Sequence, residues 1–251
     1  MLGAAGALGR ASWFAFREGH DAYAMPREEL DITDGPAVGR MLSSIRPDVV
    51  VNCAGAIPER EARPAAMVAV NAVAPLLLAA WCRHYDARLI HVSTDCVFRP
   101  DSKRWHFATE APDAIDVYGR SKALGEMGQG MTAVRTSFVS PDHGVWRWLV
   151  GMAAAGAETV PGWMQAWWSG STVWAVADGL VKIAEGRERN AVEHLATSEM
   201  ISKHEVLARL AKRLGLSLEI EGLYEPRIMR GLYPTIALQP FEEALSARAA
   251  W

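Results

Sequence analysis

Short apolar runs alternate with longer segments of helical periodicity in the first half of the chain. Residues 49–51 and 89–92 are apolar runs of strand length, and residues 132–138 continue the pattern after a predicted helix. Between the first two runs, residues 64–84 repeat apolar side chains at helical spacing. Strands that alternate with helices predict right-handed crossovers and a parallel sheet covered on both faces. The predicted fold class is therefore α/β, with a doubly wound parallel sheet.

The pattern changes from about residue 140 onward. Residues 172–185 and 202–214 have helical periodicity, and residues 216–220 form a run of strand length. We therefore predict a doubly wound domain over residues 1–140. Residues 141–251 are predicted to form a smaller mixed lobe that is interleaved with this domain and does not fold independently.

A glycine-rich loop opens the chain. Residues 3–9 read GAAGALG, with a glycine at every third position. Such a loop lets the backbone approach a pyrophosphate and presents helix N-terminal amides to it, as in Rossmann-like folds. The alternative is a flexible N-terminal tail. The backbone candidates for cofactor binding are Gly3, Gly6, Ala7 and Leu8.

The lead-in to this loop is short. A dinucleotide loop is expected to follow a buried strand, but only two residues precede Gly3. The first strand is therefore predicted to be truncated, either because the start is set late or because the protein has lost it. The second strand is predicted over residues 22–25. Arg27 follows it, and its positive charge suits a 2′-phosphate, which favours NADPH over NADH. Asp31 and Ile32 are placed where they could flank an adenine.

A tyrosine and a lysine stand four residues apart on a predicted helix. Tyr118 and Lys122 share one helical face, so the ammonium is expected to lower the pKa of the phenol and allow proton exchange with a carbonyl. The pattern alone is common on solvated helices. Thr94 and Asp95, at the end of the preceding predicted strand, make it specific, because ligand sites in parallel sheets lie at strand carboxyl ends.

Composition and charge narrow the class of protein. A net charge of −3 and a pI near 6.2 argue against a nucleic-acid partner. We find no apolar run of the roughly 18 residues that a membrane span needs, and no signal peptide, so no membrane partner is predicted. Cys53, Cys82 and Cys96 lack metal-ligand spacing, which predicts reduced thiols, no metal site and a cytoplasmic location.

Six segments in this order resemble one enzyme superfamily. They are GAAGALG (3–9), LDITD (30–34), RPDVVVNCAGA (46–56), VNAVAP (70–75), HVSTDCVF (91–98) and YGRSKALGE (118–126). Together they resemble the extended short-chain dehydrogenases, and most of all dTDP-4-dehydrorhamnose reductase and its sugar-nucleotide relatives. The resemblance covers residues 1–140 and is weaker beyond. It implies NAD(P)H-dependent reduction of a nucleotide-activated 4-keto sugar.

The resemblance also implies residue roles. Tyr118 would be the catalytic acid, Lys122 would bind the nicotinamide ribose, and Thr94 would orient the ketone with Asp95 beside it. The remaining implied contacts are Cys53, Ala54 and Gly55 beneath the cofactor, Asn71 as support from a neighbouring helix, and Arg135 toward the substrate.

Two features depart from the family pattern or lie beyond it. Cys96 occupies a position that is usually aromatic, which leaves the particular sugar open. In the second half, Trp167 could stack on the nucleotide sugar or close the junction between the two parts, and packing is favoured for the tryptophans as a group. Arg147 and Arg227 are candidates for diphosphate binding.

Two other functions are compatible with the same residues. A nucleotide-sugar epimerase or dehydratase would use the same tyrosine and lysine with a retained cofactor. A non-catalytic NAD(P)-binding regulatory subunit would keep the fold alone. Relatives often form dimers through helices on one face of the sheet, so a homodimer is one expected assembly.

Overall fold

The computed structural model describes residues 1–61, 63–101, 105–186 and 190–247. Its helices are α1 (Ala7–Phe16), α2 (Gly35–Ile45), α3 (Pro64–Val68), α4 (Ala74–His84), α5 (Val117–Gly125), α6 (Gly144–Ala154), α7 (Val173–Glu185), α8 (Lys203–Leu214) and α9 (Phe241–Ser246). Its strands are β1 (Val49–Asn52), β2 (Arg88–Val92), β3 (Met131–Thr136), β4 (Phe138–Val139), β5 (Thr159–Trp163), β6 (Ala166–Trp168), β7 (Ser171–Thr172), β8 (Val192–Thr197), β9 (Ile201–Ser202), β10 (Glu219–Leu223), β11 (Ile228–Met229) and β12 (Ile236–Leu238).

The central sheet is parallel throughout, in the order β1-β2-β3-β8-β12. This confirms the predicted α/β class with a doubly wound sheet. The three strands predicted in the first half correspond to β1, β2 and β3, the last of which is followed by the short β4. Strands β8 and β12 come from the second half of the chain, so the two halves share one sheet.

The first strand is reduced to one bridged residue. Leu2 pairs in parallel with both Met25 and Asn52, and its amide donates to the Val51 carbonyl at 2.9 Å. A cavity of about 310 Å³ lies beside Leu2, and residues 21–23 and 48–51 are among those that line it. The strand predicted over residues 22–25 is wrong in extent, because within that range only Met25 forms a β-bridge, and its partner is Leu2.

Each face of the sheet packs on its own hydrophobic core. One face carries Leu42, Leu78 and Leu89 with the helices α2 and α4. The other carries Leu8, Ile90 and Leu180 with the helices α1 and α7. Burial of such side chains contributes about 1.5–3 kcal/mol each. Both faces are therefore covered by helices, as a buried parallel sheet requires.

The second half of the chain builds a third core beside the sheet. Helix α8 begins with a capping box between Ser202 and Glu205 and ends at Gly215, which has a φ of +64°. Strand β10 lies parallel to β5, slightly later in the chain than the predicted strand over residues 216–220. Trp168 is buried in this core, and its indole nitrogen donates to the Ser137 hydroxyl at 2.8 Å.

Residues Ala69–Val73 form a π-helical turn that joins α3 and α4 into one continuous helix. This helix, Pro64–His84, has 21 residues and is apolar enough to span a membrane by length and composition, which the sequence analysis did not foresee. Its side chains at Ala74, Leu78 and Cys82 are buried in the core on the sheet. Packing on the sheet accounts for part of that apolar character, since 44% of the apolar window is buried.

Candidate active site

A cavity of about 610 Å³ lies at the carboxyl ends of β1, β2 and β3. Strand ends on this edge of a parallel sheet are the usual place for a ligand. The cavity brings together most of the residues that the sequence predicted. Its walls include Gly6, Ala7, Leu8, Cys53, Ala54, Gly55, Thr94, Asp95, Tyr118 and Lys122.

The glycine loop forms one wall and is closely packed beneath. Gly3 has a φ of +70°, and a Cβ there would lie 2.6 Å from the Ala54 amide nitrogen. A Cβ at Gly9 would lie 2.2 Å from the Gly3 carbonyl oxygen. Gly6 caps α1 without a side-chain hydrogen bond, and the first turn has no acidic residue. The amides at this helix start are therefore available to an anionic group.

Tyr118 enters the cavity from the first turn of α5. The Asp116 carboxylate caps this helix by accepting from the Gly119 amide at 2.8 Å. A Cβ at Gly119 would lie 2.2 Å from the Cys96 carbonyl oxygen, so the helix start contacts the Thr94–Cys96 loop closely. This contact holds Tyr118 on the same cavity wall as Thr94, whose hydroxyl acts on the pKa of the phenol.

The pKa of Tyr118 is shifted in the direction opposite to our prediction. Burial raises the pKa most, and the ionised forms of Cys96 and Asp95 raise it further. The hydrogen bond with Thr94 lowers the pKa but offsets this rise only in part. The sequence predicted that Lys122 would lower the pKa. In the structure burial raises the pKa instead, and the phenol keeps its proton at neutral pH.

Lys122 lies one helical turn from Tyr118 and is almost completely buried. Its ammonium donates to the Val92 carbonyl at 2.6 Å, at the end of β2. Burial lowers the pKa of Lys122 to about 8, although Glu126 and Cys53 act in the opposite direction. The lysine is therefore charged at neutral pH and loses its proton as the pH rises through about 8.

Asn71 is fully buried behind the loop after β1 and is not on the cavity wall itself. It lies in the π-helical turn, a feature that is frequent at functional sites. Its amide accepts from the Ala56 nitrogen and donates to the Ala56 oxygen, each at 2.8 Å, and donates to Ser121 at 3.1 Å. Asn71 therefore ties the loop after β1 to helix α5.

The predicted adenine-side residues lie outside this cavity. Arg27 is exposed and makes a 3.4 Å contact with Asp31, whose carboxylate also accepts from Thr33. The hydrogen bonds from Thr33 lower the pKa of Asp31. Ile32 is only 6% exposed and packs in the core, which leaves little of it for a ligand.

The structure does not place Arg135 or Trp167 on the cavity wall. Arg135 is buried, pairs with Glu126 at 2.8 Å, and lies over the Phe98 ring. Its guanidinium is committed to the protein interior, which contradicts the predicted substrate contact. Trp167 pairs with Ser202 between β6 and β9. Arg147 binds the Asp142 carbonyl at 3.3 Å, and Arg227 is exposed away from the cavity.

Several cavity residues were missed because they come from loops without a sequence pattern. His143 precedes α6, and Arg230 follows β11. Glu59 and Arg60 come from the loop after β1. Arg10 of α1 pairs with Asp142, the chain neighbour of His143. No spacing in the sequence connects these residues with Tyr118.

A model for one protein family matches nearly the whole chain. It is described as the RmlD substrate binding domain, and the match covers residues 1–249. The chain belongs to this family. A relative named dTDP-4-dehydrorhamnose reductase, from Mycobacterium tuberculosis, is 34% identical over 218 residues, which is 81% of this chain and 71% of the relative.

Other comparisons support the same family. A dTDP-4-keto-6-deoxy-D-glucose reductase from Streptomyces niveus is 37% identical over 154 residues, covering 58% of this chain. The chain spans about half the length of several curated relatives that it matches, 54% in this case. A dTDP-4-dehydrorhamnose reductase structure from Bacillus anthracis, in complex with NADP, superposes with a TM-score of 0.87 at 20% identity over 98% of this chain and 96% of that one. At this identity the structural match establishes the family's fold.

Proposed function

We propose that the protein reduces a nucleotide-activated 4-keto sugar with NADPH or NADH. The observation that carries this proposal is the meeting of Tyr118, Thr94 and Lys122 in one cavity beside a glycine loop. Relatives named as reductases of dTDP-4-keto sugars support the substrate class.

The cavity fits a dinucleotide. Gly3 and Gly9 allow the backbone crossing beneath the loop, and the uncapped start of α1 suits a pyrophosphate. Gly55 lies beside Lys122, where a Cβ would come 3.7 Å from its ammonium. A nicotinamide cofactor bound there would supply the hydride. Arg27, which is exposed and in contact with Asp31, would suit a 2′-phosphate, so we favour NADPH.

Tyr118 is the proton donor in this proposal. Its raised pKa keeps the phenol protonated, which is the form that protonates a ketone oxygen as the carbon is reduced. The Thr94 hydroxyl, hydrogen-bonded to the same phenol, would orient that oxygen. Asp95 accepts from Thr94 at 3.2 Å and keeps its hydroxyl in place. Lys122 would hold the ribose and supply positive charge beneath the phenol.

The direct test is oxidation of NADPH with a dTDP-4-keto-6-deoxy sugar, followed at 340 nm. Turnover that depends on both substrates is expected. Cofactor binding without net oxidation, but with interconversion of sugar nucleotides, would identify an epimerase on this fold instead. Absence of cofactor binding at millimolar concentration would contradict both enzyme functions.

The charge of Lys122 predicts a pH dependence of cofactor binding. Because its pKa is about 8, the ammonium is present below that pH and is lost above it. Cofactor affinity is therefore expected to fall above pH 8, by up to about tenfold per pH unit. Tryptophan fluorescence titrations between pH 7 and 9.5 measure this. Lys122→Met is expected to bind weakly at every pH, and a decline of equal slope in that variant would assign the titration to another group.

We also propose that a second copy of the chain covers an apolar surface on two adjacent helices. Val73 and Leu77, on the long helix, are each 47% exposed, and Leu124 of α5 and Met127, two residues after its end, are 45% and 71% exposed. Symmetric dimers bury such self-complementary faces. Light scattering is expected to give a dimer for the wild type and a monomer for Leu77→Glu with Met127→Glu. Val150→Glu, on an exposed site of α6, is the control, and a monomeric wild type would contradict the proposal.

A further inference from the structure

Arg230 is held toward the active-site cavity by a rigid backbone. On one side the Met229 amide donates to the Pro100 carbonyl at 2.8 Å. On the other, the Gly231 carbonyl accepts from His106 at 2.8 Å, and the Leu232 amide donates to the Ser169 hydroxyl at 2.9 Å. A residue fixed on both sides presents its side chain in a defined direction, as substrate-positioning groups require.

The guanidinium of Arg230 has few partners for a partly buried cation. Its Nη1 donates to the Cys96 sulfur at 3.1 Å, while its Nε is buried and has no hydrogen-bond partner among the residues that the structure describes. Within the same described part of the chain, no carboxylate pairs with it. A thiol is a weak acceptor, so most of the N–H donors of this planar, fork-shaped guanidinium remain available to a ligand.

Cys96 places this fork beside the reacting groups. It follows Thr94 and Asp95 directly, and its amide donates to the Thr94 hydroxyl at 3.1 Å. Its carbonyl contacts Gly119, next to Tyr118. Its small side chain leaves room for the guanidinium on the same cavity wall. The arginine therefore faces the part of the cavity that Thr94 and Tyr118 line, where the ketone would lie.

We propose that Arg230 positions the substrate and determines its specificity by donating hydrogen bonds to the sugar hydroxyl next to the ketone. This inference rests on the proposed reductase function. The planar fork suits two neighbouring oxygens, here the hydroxyl and the carbonyl oxygen beside it. A sugar that lacks this hydroxyl leaves the buried donors unpaired, which costs affinity.

The test is calorimetric binding to the NADPH-loaded protein, in which an already reduced sugar has no oxidant and cannot turn over. The probes are a dTDP-6-deoxyhexose with a free 3-hydroxyl, its 3-deoxy analogue, and dTDP alone. The wild type is expected to prefer the hydroxyl-bearing sugar by about 10- to 100-fold, the range of a hydrogen bond to a charged group. Arg230→Gln is expected to remove this preference and leave dTDP affinity unchanged. Arg227→Gln, an exposed arginine three residues earlier, is the matched control and is expected to behave as wild type.

Each other outcome has a defined meaning. Equal wild-type affinity for the two sugars would overturn the role of Arg230 and leave the reductase proposal intact. Weaker dTDP binding by Arg230→Gln would place the guanidinium on the diphosphate and would also overturn it. Failure of the wild type to bind any of the three probes would refute both proposals for this substrate class. If Arg230→Gln does not fold, Arg230→Lys keeps the charge without the fork and is expected to lose most of the preference.

Discussion

Substitution of Tyr118 by phenylalanine is expected to lower kcat about 10²- to 10⁴-fold, the usual contribution of a positioned acid. The ring remains, so the packing of the helix start on the Thr94–Cys96 loop is kept. Only the hydroxyl that hydrogen-bonds to Thr94 and carries the proton is removed. Because Lys122 and the glycine loop are untouched, the dissociation constant of NADPH is expected to change less than about threefold.

Steady-state oxidation of NADPH and fluorescence titration of the cofactor separate these two effects. Tyr224→Phe, an exposed tyrosine outside the cavity, is the matched control and is expected to leave kcat unchanged. A Tyr118→Phe variant with wild-type kcat would remove the phenol from the chemistry. A variant that loses cofactor affinity to the same degree as kcat would show that the substitution disturbs the site as a whole.

The pattern of the sequence was sufficient for the centre of this site. Two residues four apart on a helix face the same way, and strand ends of a parallel sheet meet at one edge. Tyr118, Lys122 and Thr94 therefore come together by rules that act over short segments. The same rules located β1, β2 and β3 and the helices that cover them.

The outer part of the site followed no such rule. Arg230 reaches the cavity only because pairing with Pro100 and His106, more than a hundred residues earlier, fixes its backbone. His143 arrives from a loop before α6. Loop residues have no periodicity, and their convergence depends on how the whole chain packs. The sequence therefore pointed to Arg147 and Arg227, which carry the same charge but lie elsewhere.

Burial of charge was the other feature that the sequence did not reveal. Arg135 was assigned to the substrate because the family resemblance implied it, although nothing in the sequence shows whether an arginine is exposed or buried. Its partner Glu126 lies nine residues earlier at the end of a different element, and the two side chains are only 2% and 4% exposed. A pair of this kind cannot be recognised from spacing, because neither residue stands in a periodic position relative to the other.

Loss of either member of this buried pair is expected to destabilise the protein strongly. Arg135 binds both Glu126 oxygens and contacts the Ala108 and Glu110 carbonyls, and Glu126 also accepts from the Ser93 hydroxyl. Arg135→Ala leaves the Glu126 carboxylate buried without its cation, and Glu126→Ala leaves the guanidinium unpaired. Each single substitution is expected to lower the free energy of unfolding by about 3–5 kcal/mol. Since a domain has about 5–15 kcal/mol in total, either change removes a large share of it.

Replacing both partners tests whether the loss comes from the unpaired charge. Glu126→Leu with Arg135→Met puts apolar side chains in the same space, and such replacements are often neutral or stabilising. The double variant is expected to recover most of the stability lost in Arg135→Ala, measured by urea unfolding with each single variant. The folded fraction of Arg135→Ala is expected to keep the wild-type KM for the sugar nucleotide. Native stability together with a raised KM would instead return Arg135 to the substrate site, because only a residue that touches the ligand would produce that combination.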